Sequence, residues 1–422
     1  MRTKARLGLL LGLGTAAVVV ALAACSSDDN KANADSGDSG TGAGDAGSTA
    51  VATPDAQNTQ STNDGGTSTT PDGSAKTLTC EQNIGTPVGT WTSSAISLPL
   101  ASLLGARTAV WSGTEVVFVG WDKSDRKVVA YNPSTKAWRD IAIGAGAPSA
   151  RDFPLIGIAQ GKLIVYGGAT DIYSGGALDL ATGSWTALPS LNAPELFAST
   201  EPVPHVFEAS DGRVLFFADG ALRAPNPPPA VGVLDPSLST WSSVFESITG
   251  LTYGCDKLAR AGDLFACGNA LDVHGVRLAP DAGVELVRLS QPWTGTTGAI
   301  SVAMVGTRAV FYRGETGGQN RDMHTVDLEN LDGGFKTNAT RVPRRTNSFT
   351  VTLGDRVVTW GGSAGGSPRS DGTVYDPTTD TWQSMSCTGA PESNFARALT
   401  SNGSKLFLID GTPSPKLYEY SL

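Results

Sequence analysis

An apolar run ending in or just past a glycine recurs seven times along the chain. The copies are Val116–Trp121, Leu163–Gly168, Val214–Gly220, Leu264–Asn269, Ala309–Gly314, Val357–Gly362 and Leu406–Gly411. Their starts lie 47, 51, 50, 45, 48 and 49 residues apart. Self-similarity at this period means that one supersecondary unit is built repeatedly and stacked on its neighbours. Each run is β-favouring and shows no polar alternation, as in a strand covered on both faces. A tight turn precedes every copy, for example Gln160-Gly161-Lys162 and Asn402-Gly403-Ser404, and marks a hairpin with an earlier strand. A third strand follows, beginning near Val128, Gly176, Val231, His274, Met323, Gly372 and Lys416. A fourth is marked by Trp138, Trp185, Trp241 and Trp382, with Leu286 and Phe335 as weaker equivalents.

Four antiparallel strands per repeat, glycines after the second and an aromatic on the fourth, resemble the kelch motif over about residues 86 to 422. The resemblance is closest in the first, second and sixth copies and most degraded in the fourth. It implies an all-β fold, a seven-bladed β-propeller of kelch type. The seventh copy stops after its third strand at Leu422, whereas Val88-Gly89-Thr90-Trp91 lies 47 residues before Trp138, one repeat length away. The expectation is ring closure by donation of this N-terminal strand to the last blade, which removes open sheet edges. No 3.6-residue periodicity supports a helical solenoid. The sialidase-type turn is matched only loosely, by segments such as Asp376–Trp382.

The amino-terminal region is of another kind. Arg2, Lys4 and Arg6 precede an apolar run from Leu7 to Ala23, the pattern of an export signal over residues 1–24. Leu22-Ala23-Ala24-Cys25 resembles the bacterial lipobox, which implies cleavage before Cys25 and lipidation of its thiol, palmitate included. The expected location is the bacterial cell envelope, attached through the lipid alone. Ser26 and Ser27 favour the outer over the inner membrane, by resemblance to enteric lipoproteins. Residues 25–78 form the expected lipidated, disordered tether, since Ser, Thr, Gly, Ala, Asp and Asn bury too little apolar area to offset ordering. Eight Asp and two Lys in residues 26–78 give a net −6 there. Removing the signal's three positives takes the whole chain from −9 to −12, so residues 79–422 carry the remaining −6. Nothing basic points to nucleic acid.

Four cysteines remain beyond Cys25, and an even count in an exported protein suggests two disulfides. Cys255 and Cys267 flank the hairpin turn near Gly262, which leaves Cys80 and Cys387 as the second pair. Four free thiols are the alternative.

By the family resemblance, the loops joining strands 2 to 3 and those between blades share one face. Arg151 and Arg345 sit 12 residues before their second-strand runs, where the family also places an arginine; Arg107 and Arg397 sit nine before theirs. An arginine cluster there would grip the carboxylates of an acidic protein or glycan. The alternative is that each arginine bonds loop carbonyls within the fold. Trp121, Tyr173 and Trp293 are the aromatic candidates for stacking or anchoring, or else plugs between blades. Enzymes exist on this fold. Galactose oxidase chemistry needs convergent copper ligands, and His205, His274 and His324 fall in three different blades. No metal and no cofactor is therefore expected. A mutarotase acting on sialic acid needs only an acid-base carboxylate, for which Glu201 and Glu208 are available. The leading reading is a non-catalytic module that recognises a protein or glycan; the mutarotase is its rival.

Overall fold

The continuous apolar runs become strands with no exposed face. Val116–Trp121, Val214–Phe217 and Leu264–Gly268 are buried at every position. This computed structural model describes residues 67–69, 75–77 and 84–422, except 97–107, 123–125, 169–170, 197–204, 218–230, 246–256, 269–272, 279–283, 290–299, 314–321, 340–344, 346–347, 365–366, 392–395 and 411–413. The chain divides into two units, Met1–Ser61 and Thr62–Leu422, and all described residues belong to the second. The signal, the lipobox and Cys25 lie outside them.

The strands form antiparallel four-stranded meanders in a propeller arrangement. One sheet runs Thr108–Trp111, Val116–Trp121, Arg126–Asn132, Ala137–Ile141. Another runs Lys257–Ala261, Leu264–Gly268, Val273–Leu278, Val284–Arg288. A third runs Ile300–Val305, Arg308–Arg313, Asp322–Asp327, Lys336–Ala339. A fourth runs Phe349–Leu353, Arg356–Trp360, Gly372–Asp376, Thr381–Ser384. Between residues 155 and 245 lies an eight-stranded sheet made of two such meanders. Their innermost strands, Leu155–Ala159 and Val206–Glu208, meet in parallel, with Val206 opposite Gly157. A Cβ on Gly157 would collide with the Val206 carbonyl, so only glycine lets the two backbones approach this closely.

The last sheet is shared between the chain ends. Ala396–Ser401, Lys405–Asp410 and Lys416–Ser421 are joined by Thr90–Ala95, in register from Thr90 opposite Ser421 to Ala95 opposite Lys416. The Trp91 ring lies 5.4 Å from Trp360 and 5.0 Å from Tyr420, centroid to centroid. Just upstream, Val88 N–H donates to the Ser384 carbonyl and Ser386 N–H to that of Val88. The incoming segment therefore ties the last sheet to the one before it.

Among the described residues, seven hydrophobic clusters fill the interfaces between successive meanders. One joins Phe407, Ile409 and Leu417 of the last sheet to Val116, Phe118 and Tyr131 of the first, so the series closes on itself. The recurrent tryptophans lie in these interfaces: Trp138, Trp185 and Trp382 pack half-buried against the clusters, and Trp241 and Trp91 are buried members.

Some details differ from the sequence expectation. Thr67–Thr69 pairs with Ala75–Thr77 inside the span read as a structureless tether. Phe335 precedes its strand, Lys336–Ala339, because a 3-10 turn at Leu331–Gly333 occupies the connection. It still packs on Phe311, with ring centroids 6.0 Å apart. Cys267 and Cys387 are each disulfide-bonded; Cys80 and Cys255 lie outside the described residues.

Candidate functional site

The double glycine at Gly167–Gly168 turns the chain out of its strand with φ of +63° and +111°. A Cβ on Gly167 would strike the Leu196 carbonyl, so this hairpin exit can press against the loop that follows the next strands. Gly168 N–H donates to the Leu196 carbonyl at 3.2 Å, and Leu196 N–H to that of Ile172 at 3.4 Å. Tyr166 hydroxyl donates to the Pro194 carbonyl at 2.7 Å. Residues 167–168 and 171–175 are thereby knitted to residues 188–196.

Arg151 locks a third loop onto them. Its side chain is fully buried. Nη1 donates to the carbonyls of Gly167, Asp171 and Ser174 at 3.1, 2.9 and 2.9 Å, and Nε to that of Ser149 at 3.0 Å. Nη2 reaches Ser149 Oγ at 2.9 Å and the Asp171 carboxylate at 3.2 Å. Burial lowers the Arg151 pKa, and the Asp171 charge opposes that shift. The same clamp recurs at Arg345, whose Nη1 donates to the Gly361 and Asp371 carbonyls at 3.1 and 2.8 Å. Its Nη2 pairs with the Asp371 carboxylate at 3.1 Å, and both side chains are inaccessible to solvent.

These geometries revise the arginine cluster. Arg151 and Arg345 are committed to loop carbonyls and their own carboxylates and present no donor at the surface. Arg107 lies outside the described residues. Arg397 occupies a register shift between Ala396 and Ala398 in the innermost strand of the last sheet, and its side chain is outside the described set.

The aromatic candidates separate. Trp121 is buried: Nε1 donates to the Ser149 carbonyl at 3.2 Å, and the ring meets Trp185 edge-on at 5.4 Å. It is an interface plug. Tyr173 is 48 % exposed, and its hydroxyl donates to Glu195 Oε2 at 2.8 Å, which fixes the ring across the two loops. Trp293 and Glu201 fall outside the described residues. Glu208 accepts from the backbone N–H and Nε2 of Gln160 at 2.6 and 3.2 Å, and so braces the parallel junction of the eight-stranded sheet. His205, His274 and His324, the whole histidine complement, are all buried. Among the described residues no three His, Cys, Asp or Glu side chains gather where a metal ion would bind.

Two residues of this face escaped the sequence reading. Phe153 is 36 % exposed and Leu191 79 % exposed. Phe153 has φ +55°, which no propensity leads one to expect of a bulky side chain. Leu191 carried a readable signal, an apolar residue inside the turn-forming stretch Pro189-Ser190-Leu191-Asn192.

No family model matches the chain, and no curated protein does. Solved structures do. Selenomethionine-substituted virginiamycin B lyase from Staphylococcus aureus superimposes with a TM-score of 0.52 at 8 % identity, over 79 % of this chain and 100 % of the other. A streptogramin B lyase gives 0.53 at 11 %, over 79 % and 98 %. A catalytically inactive virginiamycin B lyase from Staphylococcus aureus with quinupristin gives 0.51 at 10 %, over 79 % and 100 %. At such identities the likeness concerns the arrangement of the chain: an all-β propeller.

Proposed function

We propose that this chain is an envelope-anchored recognition module that binds a protein or glycan through the loop face of a seven-bladed, kelch-type propeller. The count of seven treats the eight-stranded sheet as two blades, supported by its two complete meanders and by the seven interface clusters. Cys25 would carry the lipid and residues 26–78 the spacing, with the outer membrane as the site of anchorage. The disulfides would pair Cys255 with Cys267 and Cys80 with Cys387. In support of the second pair, Cys387 follows Ser384 and Ser386, whose backbones bond the segment just after Cys80.

One observation carries the binding reading: a half-exposed Tyr173 stands on loops immobilised by the fully buried Arg151. Ordering such loops in advance removes part of the entropy cost of association. The rival is a propeller enzyme, a sialic-acid mutarotase or a lyase like the structural neighbours. Against it weigh the burial of Arg151, Arg345 and all three histidines, the groups best suited to hold a carboxylate or move a proton.

The test uses the full chain with Cys25→Ser, which keeps it out of lipid, on glycan and peptide arrays and in NMR anomer-exchange assays. Binding weakened about tenfold by Tyr173→Ala, without turnover, is the expected result. Acceleration of anomer exchange, or binding indifferent to Tyr173→Ala, would overturn the reading.

A further inference from the structure

We infer that the loops around Arg151 form a preorganised docking patch for an extended, cationic protein segment, anchored by Phe153, Tyr173 and Leu191. The inference rests on the recognition reading and narrows it to one place and one ligand chemistry.

Three of the five exposed large hydrophobic side chains among the described residues lie on loops 149–154, 167–175 and 188–196. These are the loops that Arg151 and the double glycine bind into one body. The Asp152 carbonyl abuts Gly168, which brings Phe153 to the same assembly. Exposed aromatic and aliphatic side chains on rigid backbone are the usual anchors of a protein interface.

Backbone conformation gives an independent indication. Among the described residues six non-glycine residues have positive φ; Lys136, Gln160, Leu238 and Asp380 lie in turns joining adjacent strands, and the other two are Phe153 and Asn192. Asn192 tolerates the left-handed region, and its neighbour Leu191 is exposed. Phe153 is a bulky residue kept in a costly conformation while part of its ring stays in water. Strain of this sort, maintained by a buried clamp, marks a surface held ready for something else.

Charge selects the partner. The three loops carry Asp152, Asp171 and Glu195 against Arg151 alone, a net −2 by sequence, and Arg151 is buried. The remainder of the propeller span is acidic as well. Asp171 spends its charge on Arg151, yet loops of net negative charge around apolar side chains favour Lys- and Arg-bearing chains over acidic ones. This reverses the sign expected when the arginines were read as ligand groups.

The unlipidated full chain is titrated with fluorescein-labelled Lys-Leu-Lys-Phe-Lys-Leu-Lys, with its Glu-for-Lys counterpart, and with a neutral-glycan array. The expected result is binding of the cationic peptide at least about tenfold tighter than the acidic one, a preference that shrinks as salt rises. Leu191→Ser and Tyr173→Ala should each weaken it about tenfold, and Leu191→Ser should leave the thermal midpoint unchanged, since Leu191 is exposed. Phe153→Gly should also weaken binding, because the exposed part of the ring is lost. Equal affinity for both peptides, no peptide binding, or a Phe153→Gly protein of unchanged affinity would overturn the inference. Glycans retained through Tyr173 without peptide binding would defeat it while leaving the recognition reading intact. Catalytic turnover would end both.

Discussion

Arg345 and Asp371 are both inaccessible to solvent and pair with each other. Arg345→Met would take a guanidinium away from a buried carboxylate, and a buried pair broken on one side costs about 3–5 kcal/mol. The expected outcome is a correspondingly lower urea midpoint with an unchanged m-value. Arg345→Lys should rescue little, because an ammonium cannot span the Gly361 and Asp371 carbonyls as the planar guanidinium does. The position of these arginines was legible in the sequence, 12 residues before a run that ends in two glycines. Their orientation was not. Whether a guanidinium faces solvent or its own fold depends on carbonyls brought round by residues 16 to 26 positions away, and no local pattern announces that. The same limit hid Phe153, whose conformation is imposed from outside its own segment.

At the scale of elements, the junction between the last sheet and the first is fastened by one carboxylate. Glu419 Oε1 accepts from Tyr131 hydroxyl at 2.8 Å and Lys136 Nζ at 2.7 Å, and Oε2 from Lys405 Nζ at 2.9 Å. Burial pushes the Glu419 pKa up, but the bonds from Lys136, Lys405 and Tyr131 outweigh it and hold the carboxyl below its usual 4.5. A depressed folded pKa means that the stabilisation is complete above the unfolded value and is lost as pH falls through the folded one. Unfolding midpoints should therefore drop below about pH 4.5, and Glu419→Gln should flatten that part of the profile. At neutral pH the substitution should cost about 1–2 kcal/mol, less than a dry ion pair, since both lysines reach water. Element by element, the strands were the most readable feature. Val116–Trp121 begins and ends as expected because its apolar composition leaves no exposed face to tolerate a shift. Phe335 slipped because a 3-10 turn used up residues that the repeat spacing assigns to strand. The charge network at Glu419 joins residues 283 and 288 positions apart and left no trace in the repeat.

For the molecule as a whole, Trp91 is the keystone. Trp91→Ala would remove the side chain packed on Trp360 and Tyr420, a loss of about 3–5 kcal/mol for a buried tryptophan. It would also loosen Thr90–Ala95 from Lys416–Ser421 and bare a strand edge. The expected outcome is concentration-dependent oligomers in size-exclusion chromatography, with far-UV circular dichroism largely retained. Closure was legible because the missing fourth strand and the surplus Trp91 segment stood one repeat length from their neighbours. The ligand face was less so, since loops obey no period.

Because Thr90–Ala95 pairs with Lys416–Ser421, the two can meet only once every strand between them has been synthesised. Until then Thr90–Ala95 waits with its hydrogen-bonding groups unclaimed, open to pairing with the edge of another chain. Removing Lys416–Ser421 would undo the assembly as thoroughly as deleting a whole sector.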